Sequence, residues 1–115
     1  MAAKVLTPKK GELNKITPFA FETATAVADG FEFQMPDVTE EYVVIAVQNA
    51  GASAVNVTLK MPENGSYAAS DSDEVLKLEA GAFAQIRIES ARFASNTGKV
   101  KLVGASADVK VAVLY

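Results

Sequence analysis

The feature that most constrains this chain is an apolar period of two that recurs along most of its length. Val55, Val57, Leu59 and Met61 alternate with Asn56, Thr58 and Lys60. Ala84, Ile86 and Ile88 alternate in the same way with Gln85, Arg87 and Glu89, and Val100 and Leu102 with Lys99 and Lys101. Val109, Val111 and Val113 sit against Lys110 and Ala112, and Phe31, Phe33 and Met35 flank Glu32 and Gln34. Successive side chains of a strand point to opposite faces, so each run predicts a strand with one buried and one wet face. Tyr42–Val47 is apolar on both faces and reads as a central strand covered on each side. No window carries a 3.6-residue apolar stripe, and Ser90–Asn96 holds at most one turn of helix.

Turn residues fall between the runs. Asp29-Gly30 separates Phe19–Ala28 from Phe31–Met35 and reads as a hairpin, because glycine accepts positive φ at little cost. Asn49–Ser53, Ala80-Gly81 and Gly104–Ala107 punctuate later strands. The longest irregular stretch, Pro62–Asp73, is expected to cross between sheets or to project as a surface loop. The predicted fold is all-β: a single-domain β-sandwich or jelly-roll-like barrel of about eight short strands, with an extended N-terminal arm. A chain of 115 residues fits one domain and buries a core without staples.

Charge divides the chain into residues 1–15, a basic and flexible arm, and residues 16–115, the β-sandwich domain. The arm holds Lys4, Lys9, Lys10 and Lys15 against Glu12 alone. That leaves the body seven of the eleven basic side chains and thirteen of the fourteen acidic ones. A basic arm on an acidic body suits docking to an acidic surface, on another copy or on a partner.

Catalytic equipment is sparse. The chain has neither histidine nor cysteine, which removes histidine-based triads, thiol nucleophiles, disulfides and the usual zinc sites. The seven glycines sit singly at turns, and no phosphate-binding or dinucleotide fingerprint is present. Asp71, Asp73 and Glu74 form the densest carboxylate cluster but lack the spacing of a calcium loop, so they read as a solvated acidic loop. The chain is therefore expected not to be an enzyme and to need no cofactor or metal. An acidic body argues against nucleic acid as a partner. No apolar run reaches the roughly 20 residues of a membrane helix, and Met1–Lys10 has no apolar signal core, so no membrane is expected and synthesis is expected in the cytoplasm. Tyr67, Phe83, Phe93 and Tyr115 are the candidate exposed aromatics. Phe83 stands out, since it is out of phase with Ala84, Ile86 and Ile88; it marks an interface or a strand buried on both faces.

Tyr42–Asn49, Val55–Leu59, Leu78–Gly81, Ile86–Phe93, Gly98–Gly104 and Val109–Val113 form a run of strands and turns, with Glu89–Phe93 the most distinctive piece. On these pieces, residues 42–113 resemble small β-sandwich proteins of tailed bacteriophages, virion structural proteins of the head-decoration type. The resemblance implies a capsid decoration or cement subunit that binds the outer capsid surface and stabilises the head. The implied partners are the major capsid protein and other copies of this chain, with a homotrimer as one arrangement. The implied location is the virion, after synthesis in the host cytoplasm. Lys4, Lys9, Lys10, Lys15 and Phe83 are the candidate partner-binding residues. The alternative is a tail, baseplate or fibre component that binds carbohydrate or a host receptor through exposed aromatics.

Overall fold

The computed structural model describes residues 3–36, 43–61, 73–88, 93–95 and 97–115. Nine strands run through them: β1 (Lys4–Val5), β2 (Glu22–Thr23), β3 (Phe31–Gln34), β4 (Val44–Asn49), β5 (Val55–Lys60), β6 (Glu74–Leu78), β7 (Phe83–Arg87), β8 (Lys99–Gly104) and β9 (Val109–Leu114). They form two sheets, ordered β1-β3-β8-β5-β6 and β2-β9-β4-β7. Apart from β1, every pairing is antiparallel. Eight strands without β1 pair as 3-8-5-6 against 2-9-4-7, the two interlocked Greek keys of a jelly roll. The all-β sandwich expected from the alternating pattern is what the chain adopts, with β1 added as a ninth strand.

The alternating residues meet between the sheets. Phe31 and Leu59 both lie level with Leu102, and Ile45 lies level with Val113 and Ile86. Phe31, Leu59, Leu102, Ile45, Val47, Val57, Val100, Val111 and Val113 are all buried. Each such side chain contributes about 1.5–3 kcal/mol relative to its exposed state. β4 is flanked by β9 and β7, and its outward residues are half-buried, in keeping with a central strand.

Two local expectations need correction. Asp29-Gly30 is not a hairpin, because the strands on either side, β2 and β3, belong to different sheets. The amides of Asp29 and Gly30 both donate to the Ala26 carbonyl, each at 3.1 Å, closing a turn that carries the chain from one sheet to the other. Gly30 is required here for a different reason: its φ is +64°, and a Cβ would strike the Leu102 carbonyl oxygen on β8. Pro62–Asp73 joins β5 to β6, which are neighbours in one sheet, so this stretch does not cross between sheets. Residues 62–72, and most of 90–96, lie outside the described residues.

The N-terminal segment runs along the side of the sandwich. Lys4 and Leu6 donate their amides to the carbonyls of Gly30 (2.9 Å) and Glu32 (2.8 Å), which makes β1 parallel to β3. The chain then passes to the other sheet, where the Lys9 amide donates to Val113 (2.8 Å) and the Gly11 amide to Tyr115 (2.7 Å). Tyr115 returns a bond to the Lys9 carbonyl at 3.0 Å. Between these two anchor points Leu6, 3% exposed, fills the core, and Lys4 reaches across to Glu22 at 3.6 Å. Residues 4–11 of the basic arm thus strap the β1/β2 side of the sandwich shut.

Candidate docking surface

The outer face of the second sheet carries exposed aromatic surface. Register decides it. Phe83 lies opposite Gln48, with the outward parity that its phase predicts, and is 66% exposed. Glu22 lies opposite Val111, so Phe21, one residue earlier, comes level with Ala112. Ala112 in turn lies opposite Ala46, and both point outward. These small residues leave room for the rings to lie over the sheet. Phe21 and Phe83 approach with centroids 6.1 Å apart, and Phe19 packs edge-on against Phe21 at 5.5 Å. Ala112 faces outward yet is buried, and it shares a cavity of about 140 Å³ with Phe19, Ala20 and Lys9. The outcome is an aromatic ridge, Phe19–Phe21–Phe83, resting on an alanine floor.

The basic residues predicted to bind a partner fall into two groups. Lys9 lines the same cavity as Phe19 and so borders the ridge, and Lys10 is exposed. Neither carries an ion pair among the described residues. Lys4 is held by Glu22, and Lys15 by Glu12 at 3.6 Å, which makes both less free to meet a partner. Residues 12–17 form a tight turn, with the Glu12 amide donating to Thr17 Oγ1 at 3.1 Å and Asn14 at φ 59°. This turn leaves Leu13 and Ile16 almost fully exposed between the Tyr115 anchor and Phe19.

Of the other aromatic candidates, Phe93 is buried and forms part of the core, so it offers no platform. Tyr115 is half-buried against the core, and Tyr67 lies outside the described residues. Phe19 and Phe21 escaped the sequence reading. Their signal was an aromatic pair spaced i, i+2, which places both rings on one face of an extended segment.

A second concavity, of about 730 Å³, lies on the outer face of the first sheet. Lys60, Lys99 and Lys101 line it alongside Asp29, Glu32 and Asp73, a mixed field with no excess of either sign. Asp73 is committed structurally. Its carboxylate accepts the Met61 amide at 2.6 Å and Lys60 Nζ at 3.1 Å, tying together the two ends of the β5–β6 connection. The Met61 amide, helped by Lys60 and opposed by partial burial, holds the Asp73 carboxyl below its ordinary range. Ser95, the hydroxyl on this rim, is likewise engaged: it pairs with Thr97 Oγ1 at 2.9 Å and accepts the Lys99 amide at 3.2 Å. Asp71 lies outside the described residues, and among these no group of three metal-ligating side chains occurs. No helix among them is long and apolar enough to cross a membrane.

In comparisons with protein families, characterised proteins and solved structures, nothing matches this chain.

Proposed function

We propose that this chain is a non-catalytic structural protein of a bacteriophage particle, a decoration or cement subunit that docks on the outside of the capsid and stabilises the head. The observation that carries the docking part of this reading is the aromatic ridge bordered by Lys9. Exposed rings clustered within a charged border have the anatomy of a protein-docking surface, with apolar anchors at the centre and charge at the rim. The basic border suits an acidic patch on the major capsid protein. Many copies bound across a symmetric lattice hold on through avidity, so no single contact has to be strong. The assignment to a phage particle rests on the strand-and-turn resemblance of residues 42–113. The lack of histidine and cysteine supports a non-catalytic role.

Quantitative mass spectrometry of purified virions from the source of the sequence tests the reading. A copy number comparable to the major capsid subunit is expected. A few copies per particle would favour a tail or fibre role, and absence from particles would overturn the proposal. On shells stripped of this protein, full-length Phe83→Ser and Lys9→Glu should each rebind at least roughly tenfold more weakly. Undiminished rebinding by both would dismiss the ridge as the docking surface.

A further inference from the structure

The two sides of the sandwich are finished differently. The N-terminal strap closes the β1/β2 side, whereas on the β6/β7 side no described residue pairs with the outer edge of β6. An open edge strand offers a row of free amides and carbonyls to another chain, and proteins ordinarily blunt such edges. β6 is not blunted. Val75 points outward and is 54% exposed. Leu76 lies opposite buried Val57 and so has the inward parity, yet it is 41% exposed. A core-facing leucine open to water marks the place where the core ends among the described residues.

We propose that β6 pairs antiparallel with β6 of a second copy about a two-fold axis, joining the two five-stranded sheets edge to edge. An axis perpendicular to the sheet keeps outward residues opposite outward residues, so the register must centre on a single residue. Centring on Val75 sets Val75 against its own copy, sets Glu74 against Leu76, and places Lys77 opposite Asp73 of the other copy, twice over. Centring on Leu76 sets Val75 against Lys77 and Glu74 against Leu78, with no charge pair formed. Complementarity therefore selects the Val75 register. Lys77 carries no ion pair among the described residues. Asp73 faces Lys60 and Met61 within its own chain, and a carboxylate has lone pairs for a third donor. In this arrangement the exposed flank of Leu76 is covered by the partner strand.

The full chain, free of any particle, tests this independently of the docking role. Sedimentation equilibrium over a dilution series should show a species of twice the 12.1 kDa chain mass. Val75→Lys, which sets two ammonium groups against each other, should abolish that species while leaving circular dichroism unchanged and giving a melt that no longer depends on protein concentration. The chain has no cysteine of its own, so a single introduced thiol can form only an intermolecular disulfide. Mild oxidation should cross-link Val75→Cys far faster than Lys77→Cys. A monomer up to about 1 mM, a dimer undisturbed by Val75→Lys, or faster cross-linking at position 77 would each overturn the proposal.

Discussion

Asn49 is the polar residue on which the fold depends most directly. It is the last residue of β4, has the inward parity of Ile45 and Val47, and is 0% exposed. Its Nδ2 donates to the carbonyls of Ser53 (2.8 Å), Leu78 (3.1 Å) and Glu79 (3.2 Å), and its Oδ1 accepts the Gly51 amide at 3.0 Å. Its backbone amide donates to Ala82, and its carbonyl accepts Gly81. One side chain thus ties the β4–β5 crossover to the β6–β7 crossover. Asn49→Ala leaves the Leu78 carbonyl and the Gly51 amide without this partner. At about 1–3 kcal/mol for each unsatisfied buried group, the cost should be roughly 2–6 kcal/mol. A domain of this size holds on the order of 6–17 kcal/mol in total, so the variant should still fold. Urea unfolding should show a lower midpoint with an unchanged slope, and the melting temperature should fall by roughly 10–20 °C.

Asn49→Asp separates the hydrogen-bonding argument from simple loss of packing. The replacement keeps the shape but turns the donor into an acceptor facing three carbonyl oxygens. The carboxylate form is penalised and the protonated form is not, so the folded-state pKa rises above the unfolded value of about 3.9. For a raised pKa the variant's stability is fullest below the unfolded value and drains away as pH rises through the folded one. Asn49→Asp should therefore be less stable than Asn49→Ala at pH 7 and should recover relative to it at pH 4. A loss below about 1 kcal/mol for Asn49→Ala, or a pH-independent gap between the two variants, would refute this account.

Three further outcomes follow from the packing. Gly30→Ala should cost about 2–4 kcal/mol, since the new Cβ meets backbone on β8 as well as a positive φ, whereas Gly81→Ala, at φ +73° with open space around it, should cost only about 1–2 kcal/mol; paired urea titrations compare the two. Leu6→Ala should cost about 2–5 kcal/mol by the same titration, a loss that a detached arm would not produce. The depressed Asp73 carboxyl contributes stability that is present above its ordinary value of 3.8 and lost as pH falls through its lower folded value, so Asp73→Asn should flatten the acid limb of a stability-versus-pH curve below about pH 4.

Alternation carried the sequence reading furthest where a strand's neighbours matter least. β5, β8 and β9 each show their buried face in their own residues, because burial on one face of a pleat writes itself at every second position. Pairing leaves a weaker trace. Asp29-Gly30 looks the same whether glycine turns a hairpin or lets two backbones approach, and only the position of the Leu102 carbonyl separates these uses. Asn49 reads as turn punctuation until its three carbonyl partners, contributed by two crossovers, come together around it.

The surfaces proposed here show the same division at the level of function. Phe83 announced itself by being out of phase, a local property of its own strand. Phe19 and Phe21 join it only because β2 pairs with β9, β9 with β4 and β4 with β7, and two alanines happen to face outward between them. Val75 and Leu76 sit side by side between Glu74 and Lys77, and their exposure follows from β6 being last in its sheet on the side that the N-terminal strap does not reach. Binding surfaces of this kind are made by what a sheet lacks at its edge or carries across its back. Both depend on strand order, and strand order is set by long-range contacts that no short window of sequence contains.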